Sequence, residues 1–80
     1  MENKREHFKV SKVTGKKYNV FGVVRILNIY QARAYMKNGA ELLHLEFSED
    51  RKTGNPIIVF LFDREKTADL YDLWCKHRLN

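Results

Sequence analysis

Ile57-Ile58-Val59-Phe60-Leu61-Phe62 is a run of six apolar side chains, and it constrains the chain more than any other stretch. Six residues are too few for a stable helix, and three β-branched residues at the start favour extended backbone, so the run reads as a strand. Its side chains alternate between two faces with nothing polar on either parity, so both faces need cover. A chain of 80 residues has material for one core, and the run belongs at its centre.

The flanking segments supply partners for that strand. Residues 6–13 alternate weakly, with Phe8 and Val10 on one parity, and Thr14-Gly15-Lys16 reads as a turn. Residues 17–27 follow as a second strand, apolar on both parities. Asn28 is placed to cap a helix over 29–38, with Gln31 reaching back and Gly39 closing it. Ile29, Ala32 and Met36 share its buried face by spacing. Residues 40–48 alternate as a third strand, and the polar stretch EDRKTGNP leads into Ile57–Phe62. Asp63 then caps a last helix over 64–78, with Thr67, Leu70, Tyr71 and Trp74 inward and Asp72 and Lys76 paired four residues apart.

The order ββαββα predicts an α+β domain spanning 1–80, with a basic hairpin over 1–27 and a core over 20–80. The expected architecture is a four-stranded antiparallel sheet with two helices on one face. This is a permuted ferredoxin-like arrangement, a split β-α-β whose edge strand has moved to the N-terminus. One parity of the central strand is then left on the open side. Either Ile58, Phe60 and Phe62 or Ile57, Val59 and Leu61 take the open side; the first set supplies the expected sheet-face contacts, and an uncovered apolar face of that size predicts a homodimer.

Charge is distributed unevenly. The net charge is +5, and residues 1–25 hold seven basic and two acidic side chains while the rest hold eight of each. A basic lobe on a neutral domain is the footprint of a polyanion binder. The candidate contacts are Lys4, Arg5, Lys9, Lys12, Lys16, Lys17 and Arg25. Tyr30, Arg33 and Lys37 join them on the flank of the first helix, where an aromatic ring between two cations suits phosphate or an acidic surface. The expected partner is nucleic acid or a nucleoprotein, with a host protein as the alternative.

Catalytic patterns are missing. There is no glycine-rich phosphate loop, no H-E-x-x-H and no C-x-x-C. Cys75 and His77 lie roughly 200° apart around a helix and cannot act as nucleophile and base. Cys75 reads as a half-buried small hydrophobe beside Trp74, His44 as a satisfied strand histidine, and Glu49 and Asp50 as carboxylates neutralised by Arg51 and Lys52. No enzyme activity, cofactor or metal is expected. One cysteine allows no internal disulfide, which fits a reducing compartment. No apolar run approaches the ~18 to 20 residues of a membrane span, and MENKREHFK has no apolar signal-peptide core. A cytoplasmic location without a membrane partner is the expectation.

The span Val24–Leu79 resembles a family of short uncharacterised proteins carried by phages, plasmids and conjugative elements of Gram-positive bacteria. The likeness rests on RILNIYQARAYM, KNGAELLHLEF and IIVFLFDREKTADLYDLW. It implies an accessory protein of a mobile element and brings no activity with it. A phage-encoded inhibitor of the anti-CRISPR kind is compatible with this setting, though such inhibitors are often acidic DNA mimics and this chain is basic. Phe60 and Phe62, near Phe21 or Tyr18, are also similar in pattern to the base-stacking sheet of RNA-recognition domains, although the basic-aromatic consensus strand of those domains is absent.

Overall fold

A computed structural model describes residues 5–80. Along them run β1 (Phe8–Val10), β2 (Lys17–Asn19), a 3-10 turn (Val20–Gly22), β3 (Val23–Ile26), α1 (Ile29–Lys37), β4 (Leu42–Glu49), β5 (Pro56–Asp63) and α2 (Ala68–Cys75). The class is α+β, but the strands form two sheets, β1-β2 and β3-β5-β4, in place of one four-stranded sheet. Asn19 makes the division. Its side-chain oxygen accepts the backbone N–H of His7 at 3.0 Å and of Phe21 at 3.1 Å. Such local bonding competes with a strand ladder. It winds residues 20–22 into a turn in the middle of the single strand expected over 17–27, so β2 stays with the hairpin and β3 joins the main sheet.

β5 is central, antiparallel to β3 on one side and β4 on the other. β3 and β4 therefore run parallel with β5 between them and α1 as their crossover, the expected split β-α-β. Alternation along β5 separates two packing groups. Val59 and Leu61 meet Tyr18, Val23 and Leu43. Phe62 meets Ile26, Ala32, Ala34 and Tyr35, with Phe60, Leu70 and Trp74 packed around them. Both helices thus cover one face of the sheet and the hairpin covers the other.

This corrects the reading of Ile58, Phe60 and Phe62 as an open sheet face. Phe62 is fully buried, edge-on to Tyr35 with ring centroids 5.3 Å apart. Phe60 is half-buried in the helix-side core, and of the three only Ile58 is exposed. The expected dimer loses its premise, because the second face of the strand is filled by the chain's own hairpin.

A bulge in β4 fits the hairpin to the sheet. Leu42 pairs with Phe62 and His44 with Leu61, leaving Leu43 as the extra residue. Two neighbours then serve the same side: Leu43 is buried against Tyr18's group, and the His44 ring stacks on Tyr18 at 5.5 Å and 18°. Ser11 completes the joint. Its hydroxyl oxygen accepts from the N–H groups of Val13 and Thr14, both at 3.0 Å, and lies 2.6 Å from His44 Nδ1. With both lone pairs engaged, the Ser11 hydroxyl donates to Nδ1, which assigns the ring proton to Nε2. Thr14 Oγ1 donates to the Leu43 carbonyl at 2.7 Å. Ser11→Ala is expected to cost about 1–3 kcal/mol, because it strands two N–H groups and a ring nitrogen at a buried joint. A urea titration with unchanged m value and a lowered midpoint is the check.

The helices differ from expectation in detail. Asn28 caps α1, accepting from Tyr30 and Gln31 N–H groups, but the Gln31 side chain donates to the Tyr35 hydroxyl at 3.0 Å and does not reach back. Tyr35, held so and packed on Phe62, sets the helix rotation. The buried residues are Ala32, Ala34 and Tyr35, while Ile29 and Met36 are exposed. Gly39 closes the helix as expected, at φ +91°, with Ala40 N–H reaching the Tyr35 carbonyl at 3.0 Å.

α2 is shorter than the 64–78 expected. Asp63 accepts from Lys66 N–H through its side chain and from Thr67 through its carbonyl. That bonding closes a turn over 64–67 before the helix starts. At the other end His77 adopts φ 58° and Arg78 N–H reaches the Leu73 carbonyl at 2.8 Å, a left-handed termination that returns Leu79 to the core. Thr67 is buried and Leu70 and Trp74 half-buried, but Tyr71 and Cys75 are exposed. Lys76 and Asp72 pair at 2.9 Å as expected.

Candidate nucleic-acid interface

The hairpin leans over the sheet and leaves two clefts, which share Tyr18, Val23 and Arg64. The first, about 510 Å³, gathers Lys9, Lys12, Arg25 and Arg64, with Glu46 as the sole acid among the described residues. Register explains the gathering. Lys9 lies opposite Tyr18 in the hairpin, so it projects to the same side as that buried ring. Arg25 pairs with Leu61 and Glu46 with Val59, which places both on the hairpin face of the sheet. There they form an ion pair at 2.6 Å.

Arg64 is the best-anchored of the four cations. Its Nη1 donates to the Phe21 carbonyl at 3.2 Å and Nη2 to the Val23 carbonyl at 2.9 Å, while its backbone N–H donates to Gly22. A guanidinium has five N–H donors in a planar fork, so two carbonyls fix its plane and leave donors to spare for an anion.

The second cleft, about 690 Å³, is lined by Phe8 and Phe21 among as many acidic as basic side chains. The two rings are 48% and 47% exposed. Each carries a cation over its face: Lys17 at 4.9 Å from Phe8 and Arg5 at 5.6 Å from Phe21.

The residues expected from sequence are divided by this geometry. Lys4 lies outside the described residues. Arg5 and Lys17 sit on the aromatic cleft, and Lys9, Lys12 and Arg25 on the cationic one. Lys16 is engaged at the hairpin turn with Glu41 at 2.8 Å. Tyr30, Arg33 and Lys37 are exposed, with Arg33 5.6 Å from the Tyr30 ring. They lie on the outer side of α1, which covers the opposite face of the sheet, so they cannot complete one interface with the hairpin. Sequence reading missed Arg64, taken as a first-turn helix residue, and the Tyr18–His44 stack. It read Phe8 and Phe21 as strand residues and did not single them out as a pair; the signal for Phe21 lay in Asn19 and Gly22, which bracket a turn.

At Glu41 the hydrogen bond and charge of Lys16 hold the carboxyl below its ordinary value of 4.5. A folded-state value lowered in this way contributes stability that is present above the unfolded value and lost as pH falls through the folded one. Both groups are solvent-exposed, so the contribution is small. Glu41→Gln is expected to narrow the difference in urea midpoint between pH 7 and pH 3 slightly, with no effect of the substitution at the acid end.

Among the described residues no helix is long and apolar enough to cross a membrane, and no three His, Cys, Asp or Glu side chains are grouped to hold a metal ion. Comparison of the chain with protein-family models, curated proteins and solved structures finds no match.

Proposed function

We propose that the protein is a small non-enzymatic binding module of a mobile genetic element, and that it contacts nucleic acid or a nucleoprotein through its basic hairpin. The observation that carries this reading is the convergence of Lys9, Lys12, Arg25 and Arg64 on one cleft whose single acid among the described residues is Glu46. Four cations gathered along one groove attract a polyanion and displace its counterions on contact. Fluorescence anisotropy with labelled DNA and RNA oligonucleotides at low salt tests it. Binding tighter than about 100 µM, within the ordinary non-specific range, is expected. No binding by any nucleic acid at that concentration overturns it.

The outer face of α1 favours a second reading, an inhibitor or adaptor that docks on an acidic host protein. Met36, Ile29, Arg33, Lys37 and Tyr30 occupy one arc of about 120° at helical spacing. That arc has no acidic residue, and Ile29 and Tyr30 are 62% and 65% exposed. Capture from host lysate that survives nuclease and is lost in Arg33→Glu/Lys37→Glu supports this reading. Capture lost on nuclease treatment supports the first.

A further inference from the structure

We infer that the nucleic acid bound by the hairpin is single-stranded, with its bases stacked on Phe8 and Phe21 and its phosphates along Lys9, Lys12, Arg25 and Arg64. This rests on the nucleic-acid reading above and specifies the form of the ligand. The two clefts differ in the way such a strand requires. One is positive, gathering among the described residues four cations and one acid, Glu46, which pairs with Arg25, and it suits phosphates. The other balances its charges and presents two half-exposed aromatic rings, which suits uncharged bases. They are contiguous through Tyr18 and Arg64, so a strand crossing the hairpin can place backbone in one and bases in the other.

A duplex keeps its bases stacked inside and offers nothing to Phe8 or Phe21. A single strand has unstacked bases, and any base can lie on an aromatic ring because each has a π-face. Lys17 and Arg5 now rest on those rings. Exposed cation–π contacts are weak, so both side chains can swing aside into solvent and free the ring faces. The aromatic contribution thus comes from the hairpin and the 3-10 turn, not from Phe60 and Phe62 of the sheet, which are enclosed by the helices.

The test compares a 12-nucleotide oligothymidylate with a 12-base-pair duplex at equal salt, using the wild type and Phe8→Leu/Phe21→Leu. Leucine keeps apolar volume, and circular dichroism checks that the fold is intact. The single strand is expected to bind at least about tenfold tighter than the duplex. The double variant is expected to lose roughly 5- to 150-fold per stacked base on the single strand only, with an unchanged salt slope. Equal affinity for both forms, or a variant that binds the single strand as well as wild type, overturns the inference and leaves the nucleic-acid reading standing. Absence of binding to either form overturns both.

Discussion

Phe62→Ala is expected to destabilise the domain by about 3–5 kcal/mol, through lost transfer energy and the cavity left behind. Phe62 has no exposed surface, packs edge-on against Tyr35 and lies on the central strand between β3 and β4. No neighbour can collapse into the space without breaking a ladder. Native domains are stable by only about 5–15 kcal/mol, and one of 80 residues belongs toward the lower part of that range, so much of the variant is expected to be unfolded at physiological temperature. Thermal and urea unfolding followed by circular dichroism measure this. Trp74→Ala is expected to cost less, because the indole is only half-buried at the edge of the same core. Equal losses at the two positions contradict the packing described for α2.

The second large effect concerns salt. Each phosphate contact contributes about −0.7 to the slope of log affinity against log salt on single strands, so four cations give a slope near −3. Raising salt from about 50 to 200 mM then weakens binding roughly 50-fold. Lys9→Ser/Lys12→Ser/Arg25→Ser is expected to flatten the slope to about −0.7, since only Arg64 of the cleft remains. Arg33→Ser/Lys37→Ser, on the far side of the sheet, should leave it unchanged. A slope that follows Arg33 and Lys37 in place of the hairpin cations moves the contact to α1.

Element types were largely legible in the sequence because their signals are local. The unbroken apolar run Ile57–Phe62 announced a buried central strand, and it lies within β5, which spans Pro56–Asp63. Asn28 and Gly39 bracketed a helix, and α1 spans Ile29–Lys37. Where local signals were weighed against each other, the reading erred. Val, Ile and aromatic content over 17–27 argued for one strand, yet the hydrogen bonds of the Asn19 side chain outweighed it at residues 20–22. Asp63 looked like a helix cap, and its bonding closes a turn first.

The candidate site was legible in its charge and not in its shape. Counting side chains located the excess of positive charge in the first 25 residues, and three of its members, Lys9, Lys12 and Arg25, line the cationic cleft. Composition says which residues are charged; it carries no information on which face of a sheet they share. Arg64 reaches carbonyls 43 and 41 residues earlier in the chain, and His44 meets a serine 33 residues away. Periodicities of 2 and 3.6 are set by neighbours along the chain, so the sequence alone determined most element types, the central strand and the basic lobe. The tertiary structure decided that the hairpin folds back as a lid on β5, that Phe60 and Phe62 are enclosed while Phe8 and Phe21 stand half-exposed, and that α1's cations face away from the hairpin's. Those outcomes depend on one turn at Asn19 and one bulge at Leu43, because a single added residue or change of direction in a strand redirects side chains to another face.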